Sequence, residues 1–207
     1  MNLLNVLSVL TDYATVIAII VIIIVITFLL VIFLPKPKCY FDTKKICKEL
    51  LLLNESHMEN LKKELIPLLD NETYVHVYSD NTLAIDTKTI STSYDLFRSI
   101  PYVRNITLVK LDPKLDMNKS KGSSNLANHT IRCALALKCS GAQKSGIWVD
   151  GEMKFFTEAE WIIYDNSREH SIFNKHKRLH TYLLIIDIDR PDWLPLGIST
   201  EENDLII

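Results

Sequence analysis

The order of apolar and polar positions divides the chain into an aliphatic segment, a helical segment and a β-rich segment. Residues 15–34 contain no charged side chain and consist mostly of Ile, Val and Leu. In residues 45–70, leucines recur at helical spacing between Lys and Glu residues, which predicts amphipathic helices. From residue 103 onwards, short apolar runs are separated by polar turns, and this pattern predicts successive β-strands.

The order of the apolar runs predicts the fold class. The runs cover residues 106–111, 131–137, 146–149, 152–156, 161–164 and 182–188. The dipeptide Asp150-Gly151 lies between the third and fourth runs and is a strong signal for a tight hairpin turn. Helices followed by a series of antiparallel strands predict an α+β fold with a β-sandwich or small barrel.

The aliphatic segment predicts a transmembrane helix. About twenty residues, each adding ~1.5 Å to a helix, cross a ~30 Å hydrocarbon core. A cleaved signal peptide is the alternative, but the stretch lacks a basic region before it and a small-residue cleavage site after it. We therefore predict a single-pass membrane protein with a short N-terminal segment (1–14), a transmembrane helix (15–34), a linker (35–44), a globular domain (45–193) and a tail (194–207).

Two signals for the orientation in the membrane disagree. Lysines follow the aliphatic segment, at positions 36, 38, 44, 45 and 48, and the positive-inside rule then places the domain in the cytoplasm. Candidate N-glycosylation sites favour a lumenal domain instead, because only a lumenal domain is modified. These sites are Asn54, Asn71, Asn105, Asn118 and Asn128.

Composition narrows the possible functions. The net charge of −2 gives no reason to expect a nucleic-acid partner, and no Gly-rich phosphate-binding loop is present. The cysteines lack the C-x-x-C spacing of a zinc site, and a disulfide between Cys39 and Cys47 requires an oxidising compartment. Cys133 and Cys139 lie in or beside an apolar run and are expected to be buried thiols. The Ile-, Asn- and Lys-rich composition suits a gene from an AT-rich genome, such as that of a large DNA virus.

The most informative motif is the Asp-Asn-Ser-Arg-Glu-His sequence of residues 165–170. It follows the apolar run 161–164 and precedes the run 182–188. A strand, a polar turn with a histidine and a return strand can present a metal ligand at the mouth of a β-barrel. His170 is therefore the first candidate metal ligand.

Together with the apolar runs on either side of it, this motif resembles the second iron-binding turn of the aspartyl/asparaginyl β-hydroxylase family. Further segments resemble the same family in the same order: 100–104, 108–122, 130–137, 146–150, 161–174 and 183–191. The resemblance implies an antiparallel double-stranded β-helix (jelly-roll or cupin-like) domain. It also implies an Fe(II)- and 2-oxoglutarate-dependent dioxygenase that hydroxylates Asp or Asn side chains of protein substrates. Because the animal enzymes face the endoplasmic reticulum lumen, it favours a lumenal domain.

Carried over by position, the family pattern is only partly retained. The second iron ligand falls on His170, but the first falls on Ser120, whose hydroxyl is a poor ligand for ferrous iron. The arginine that pairs with the far carboxylate of 2-oxoglutarate falls on Thr181, or on His180 with a shifted gap. A further family histidine falls on Ala134.

Nearby side chains offer substitutes for the missing groups. His129 or Asp116 would replace the lost iron ligand, and Arg178 would replace the arginine that binds the cosubstrate. Each substitution requires a particular loop conformation. The acidic residues of the motif are otherwise interpreted as solvated turn carboxylates, and the basic loop 175–180 as an exposed loop of mixed charge.

Two functions remain as hypotheses. We expect a protein that keeps the family's fold but has lost or altered catalysis. It would act as a membrane-anchored binding or scaffold module that uses the former active-site cleft or the basic loop 175–180. The alternative is an active dioxygenase using Fe(II), O₂ and 2-oxoglutarate. Both hypotheses require a protein substrate or partner that the sequence does not identify.

Overall fold

The computed structural model describes residues 16–29, 38–53, 55–79 and 82–202. The chain divides into two compact units, Met1–Lys38 and Cys39–Ile207. In the first unit, residues 16–29 form a helix, α1.

The prediction of a transmembrane helix at 15–34 is wrong, and the single-pass placement and lumenal orientation built on it are wrong too. No helix in the described parts of the chain is long and apolar enough to cross a membrane. The described part of helix α1 covers residues 16–29. Residue 15 and residues 30–34 lie outside the described residues.

The second unit is an antiparallel β-sandwich with a few short helices. Sheet A has the strand order β1-β9-β6-β11-β4-β2-β3, and sheet B has the order β5-β10-β7-β8. The strands are β1 Tyr40–Phe41, β2 Tyr74–Ser79, β3 Thr82–Leu83, β4 Val103–Leu111, β5 Leu115–Asp116, β6 Thr130–Lys138, β7 Ser145–Val149, β8 Glu152–Phe155, β9 Trp161–Tyr164, β10 His170–Asn174 and β11 Thr181–Asp189. The helices are α2 Thr43–Ile46, α3 Glu55–Leu65, α4 Ser91–Arg98 and α5 Ser124–Ala127, with 3₁₀ helices at Lys48–Leu53 and Ile66–Leu69.

The central strands of sheet A are buried on both faces. On its outer face, Cys133, Leu135 and Leu137 of β6 pack in one core with the leucines of α3. On its inner face, Ala134 and Ala136 pack in a second core against sheet B. A strand covered on both sides has no solvent-facing positions, so its sequence reads as a continuous apolar run rather than an alternating one.

The predicted antiparallel β-rich domain is confirmed, and the predicted strands agree with the structure to within a few residues. Strand β10 was not predicted, because His170 and Asn174 at its ends gave it the appearance of a polar turn. Strand β1 lies within the predicted linker, where Cys39 is buried in the inner core and Tyr40 and Phe41 pair with β9.

One ion pair interrupts the apolar inner face of sheet A. Arg132 on β6 lies directly opposite Asp187 on β11. Its Nε and Nη2 donate to the two carboxylate oxygens at 2.8 and 2.9 Å, and both side chains are largely buried. Burial by itself lowers the pKa of Arg132, but the opposite Asp187 carboxylate outweighs it and raises that pKa above its usual range. The pair therefore stays charged and joins the two central strands of the sheet.

Removing one partner of this pair will destabilise the protein strongly. Asp187→Leu leaves the Arg132 guanidinium buried without a counter-charge, and we expect a loss of ~3–5 kcal/mol in the free energy of unfolding. The double variant Arg132→Met with Asp187→Leu removes both charges and is expected to recover most of that loss. Urea unfolding followed by tryptophan fluorescence measures both, and a single-variant cost below ~1 kcal/mol would contradict the structural role of the pair.

Candidate functional site

His170 begins β10 and faces the interior of the sandwich, with its side chain only 3% exposed. Its Nδ1 lies 2.8 Å from the carbonyl oxygen of Arg168. Because a carbonyl only accepts, Nδ1 carries the proton and Nε2 is left with its lone pair. Burial lowers the pKa of His170 to about 4, so the ring is neutral at physiological pH. A neutral imidazole with Nδ1–H held by a backbone oxygen is the state that metal-binding histidines adopt.

Ser120 lies directly opposite His170. The two residues exchange both backbone hydrogen bonds, with Ser120 N donating to His170 O at 2.9 Å and His170 N donating to Ser120 O at 2.8 Å. Directly opposite residues of an antiparallel pair project their side chains from the same face. The structure thus brings together the two positions predicted as iron ligands, and it places a hydroxyl beside the imidazole.

Asp116, the first substitute ligand, lies on β5 opposite Phe173 of β10. Phe173 is three residues from His170, and side chains along a strand alternate between faces. The carboxylate of Asp116 therefore lies on the face of sheet B away from the imidazole. His129, the second substitute, is exposed after α5, where its carbonyl accepts a hydrogen bond from Arg190 N.

The turn before His170 is held by a buried carboxylate. Asp165 is 5% exposed and accepts hydrogen bonds from the Ser167 hydroxyl at 2.6 Å and from Arg190 Nη2 at 2.7 Å. Burial by itself raises the pKa of Asp165, but the bonds from Arg190 and Ser167 outweigh it and lower that pKa below its usual value. The interpretation of Asp165 as a solvated turn residue was therefore wrong. It ties the motif to the end of β11.

Arg190 connects this turn to two further segments. Its guanidinium also donates to the carbonyl oxygens of Ala127, at the end of α5, and of Pro195, in the C-terminal segment. Only Glu169 among the acidic residues of the motif is exposed. It lies 3.5 Å from Lys119.

The remaining polar groups near His170 are Tyr164 and Asn166. The rings of Tyr164 and His170 have centroids 5.5 Å apart, and Arg132 lies opposite Tyr164 on the neighbouring strand. The Tyr164 hydroxyl and both amide atoms of Asn166 are buried without a hydrogen-bond partner among the described residues. Polar groups whose hydrogen-bonding capacity is not used by the described residues therefore lie close to His170.

The predicted cosubstrate positions lie at the other end of β10. Thr181 is fully buried, and its hydroxyl accepts from Ser140 N at 3.0 Å and donates to the Ser145 hydroxyl at 2.8 Å. His180 Nδ1 lies 3.1 Å from Asp112, and Arg178 is exposed in the loop between β10 and β11. Thr181 is thus part of a filled hydrogen-bond network.

The predicted modification sites lie in different environments. Asn71 and Asn118 are exposed, whereas Asn105 is partly buried. Asn128 uses both ends of its amide, donating to Ser199 O and accepting from Ser199 N. Asn54 lies outside the described residues. All four cysteines are free thiols, and Cys39, Cys47 and Cys133 are buried.

Sequence reasoning missed the residues that organise the site: Arg132, Tyr164, Asn166, Asp187 and Arg190. The sequence did contain a signal for one of these contacts. Arg132 and Asp187 are single charges inside apolar strands, and because buried charges must be paired, the two could have been predicted to form an ion pair. Among the residues that the structure describes, no group of three or more His, Cys, Asp or Glu side chains could hold a metal ion.

Comparisons with known proteins give one family and several similar structures. The family model described as Aspartyl/Asparaginyl beta-hydroxylase matches residues 42–191. No curated protein sequence matches the chain. AviO1 from Streptomyces viridochromogenes is similar at 11% identity, covering 70% of this chain and 89% of that one, with a TM-score of 0.48.

Two further structures are similar over smaller parts of the chain. A 2OG-Fe(II) oxygenase family oxidoreductase from Burkholderia pseudomallei is 9% identical, covering 61% of this chain and 69% of that one, with a TM-score of 0.42. The Cnp3 cupin domain of Schizosaccharomyces pombe is 13% identical over 44% of this chain, with a TM-score of 0.34, and the match spans only 55% of that chain.

The burial of His170 predicts a specific acid sensitivity of the metal-free protein. The folded state keeps the ring neutral down to about pH 4, whereas the unfolded chain takes up a proton near pH 6.5. As the pH falls from about 6.5 to about 4, the unfolded state binds more protons and the folded state loses ~3 kcal/mol. Urea unfolding of wild-type protein and of His170→Gln in the presence of a chelator isolates this contribution. A variant with the same pH dependence as wild type would contradict it.

Proposed function

Because the chain belongs to the aspartyl/asparaginyl β-hydroxylase family, we propose that it keeps the family's fold as a binding module while its iron-dependent hydroxylation is lost or strongly reduced. The observation that carries this proposal is the pairing of Ser120 with His170. Non-haem iron in such oxygenases is held by imidazole nitrogens, often with a carboxylate. A single imidazole beside a hydroxyl does not fit that requirement.

The nearby carboxylates do not restore the missing ligand. Asp165 accepts hydrogen bonds from Arg190, and Asp187 is bound at both oxygens by Arg132. Breaking either buried pair to supply an oxygen to a metal would leave a guanidinium buried without its counter-charge, which is costly. Asp116 lies on the opposite face of sheet B. These contacts support loss of the ferrous site rather than its replacement.

The groups that would bind 2-oxoglutarate are also altered. A dicarboxylate cosubstrate needs a guanidinium fork for its far carboxylate, and the family position for that arginine is Thr181. The Thr181 hydroxyl already bonds to Ser140 and Ser145. The one guanidinium on the inner face of β6, that of Arg132, is occupied by Asp187.

We assign the binding role to the basic loop, residues 175–180. His176 stabilises this loop, because its Nδ1 accepts the backbone N–H groups of Arg178 and Leu179 at 3.1 and 2.8 Å. Lys177, Arg178 and the apolar Leu179 are exposed. A loop that presents cations beside an exposed leucine fits a protein partner with an acidic and apolar surface.

The second candidate function is an active dioxygenase that uses Fe(II), O₂ and 2-oxoglutarate to hydroxylate Asp or Asn side chains of a protein. The observation that favours it is the state of His170. Its proton is on Nδ1 and held by Arg168 O, so Nε2 keeps its lone pair toward the cleft. Iron, when bound, would supply the redox chemistry. His170 would hold it, and the chain would have to provide a further ligand by moving His129, which lies in the turn between α5 and β6, toward it.

Restoring the second imidazole tests the proposal directly. We expect Ser120→His in the full chain to gain binding of Fe(II) or Co(II) by at least about tenfold over wild type, because it places two imidazoles side by side on one face. Ser171→His is the matched control. It lies next to His170 but projects from the other face of β10, so no gain is expected. Anaerobic titration monitored by Co(II) absorbance measures all three proteins.

Turnover by the unaltered chain would overturn the proposal. The measurement is iron stoichiometry and 2-oxoglutarate decarboxylation, with His170→Ala as the control. Stoichiometric iron in wild type, together with decarboxylation that His170→Ala abolishes, would establish the dioxygenase instead. Absence of both in wild type, with metal gained by Ser120→His, is the expected result.

A further inference from the structure

Strand β8 (Glu152–Phe155) forms one edge of sheet B, and all four of its residues are exposed. Its apolar side chains are unusually open to solvent, with Met153 47% and Phe155 40% exposed. Within the described ranges, no strand pairs with its outer edge. An open edge with exposed apolar residues is a template for pairing with another strand.

The hairpin determines which backbone groups face outward. Glu152 lies opposite Val149, Lys154 opposite Ile147, and Phe156 N donates to Ser145 O at 3.0 Å. In an antiparallel ladder, hydrogen-bonded pairs occur at every second residue. Residues 152, 154 and 156 therefore bond toward β7, and the N–H and C=O groups of Met153 and Phe155 point away from the sheet.

We propose that β8 pairs with β8 of a second copy of this chain, antiparallel and centred on Met153. A two-fold axis perpendicular to sheet B would pass between the two Met153 residues, whose outward N–H and C=O groups would bond to each other. Such an isologous contact uses the same residues on both copies. It would join the two four-stranded sheets into one continuous sheet.

Charge complementarity selects this register. When Met153 faces Met153 of the second copy, Glu152 lies opposite Lys154 of the second copy, and the reverse pair forms as well. Shifting the centre to Lys154 places two lysines opposite each other, and shifting it to Glu152 places two glutamates opposite each other. Like charges directly opposite in a sheet are destabilising, whereas opposite charges stabilise it.

A glycine at the hairpin turn supports the same register. Phe155 would lie opposite Gly151 of the second copy, and the space beside Gly151 is open, because no atom lies within 4 Å of where a Cβ would stand. Sheet B already contains this kind of pair. Phe173 and Phe155 both lie opposite Gly146, and Phe173 packs within 2.9 Å of where a Gly146 Cβ would be. Gly151 differs from Gly146 in lying in the turn, at a φ of +99°, but it too would put a phenylalanine beside a residue without a side chain.

The expected dimer is weak. Only residues 151–155 of each chain take part, which is far below the area of a standard interface, so we expect a dissociation constant of about 100 µM. Burial of Met153 and Phe155 adds to the pairing of the backbone groups. This contact involves only sheet B, so it would form whether or not the protein binds iron.

Charge reversal in the full chain tests the pairing and its register. Glu152→Lys alone puts only lysines at the two positions, and Lys154→Glu alone puts only glutamates there. Each single variant is expected to weaken self-association by about tenfold or more. An equimolar mixture of the two is expected to associate at least as well as wild type, since each pair is again of opposite sign. The double variant is expected to behave like wild type.

Sedimentation velocity over a range of concentrations measures these effects, and circular dichroism checks that the variants are folded. The mixing result is specific, because association through any other surface does not respond to the combination of the two variants. A wild-type chain that stays monomeric to several times the expected constant would overturn the proposal. Association that neither single variant weakens, or a mixture no stronger than its components, would overturn it as well.

Discussion

The buried contact between Asp165 and Arg190 holds the candidate site together. It joins the turn before β10 to the end of β11, and through Arg190 it reaches α5 and the C-terminal segment. A buried carboxylate is tolerated only when its charge is matched and its oxygens accept hydrogen bonds, and here Arg190 and Ser167 do both. Because this turn leads directly into His170, the position of the imidazole depends on the pair.

Buried charges are paired in the interior next to the site as well. Arg132 and Asp187 neutralise each other between the two central strands. At the other end of β10, the Thr181 hydroxyl accepts from Ser140 N and donates to the Ser145 hydroxyl, and the Ser140 hydroxyl donates to Asn174 Oδ1. In an iron-dependent oxygenase, such inward polar groups are available to a metal and a cosubstrate. In this chain the buried charges and the Thr181 hydroxyl are committed to internal partners, whereas the Tyr164 hydroxyl and the amide of Asn166 have no hydrogen-bond partner among the described residues.

Much of the fold could be predicted from local pattern. The apolar runs located the strands of the sandwich because strands buried on both faces cannot carry solvated side chains, and Asp150-Gly151 located the β7–β8 hairpin. Strand β10 was not predicted, because the polar residues at its ends resembled a turn. The aliphatic run 15–34 led to the opposite error, because the prediction of a membrane span used hydropathy alone, and no helix in the described parts of the chain is long and apolar enough to cross a membrane. The spacing of the family motif correctly identified Ser120 and His170 as neighbours, although they are fifty residues apart in the sequence.

The sequence by itself determined the family and the antiparallel β-rich domain. These properties follow from residue identity and from periodicity, which are local. Only the tertiary structure decided that Asp165 is buried against Arg190, that Arg132 is occupied by Asp187, and that Thr181 lies in a filled network. Each of these contacts joins residues brought together by strand register, and register depends on how the whole sandwich packs rather than on any one segment.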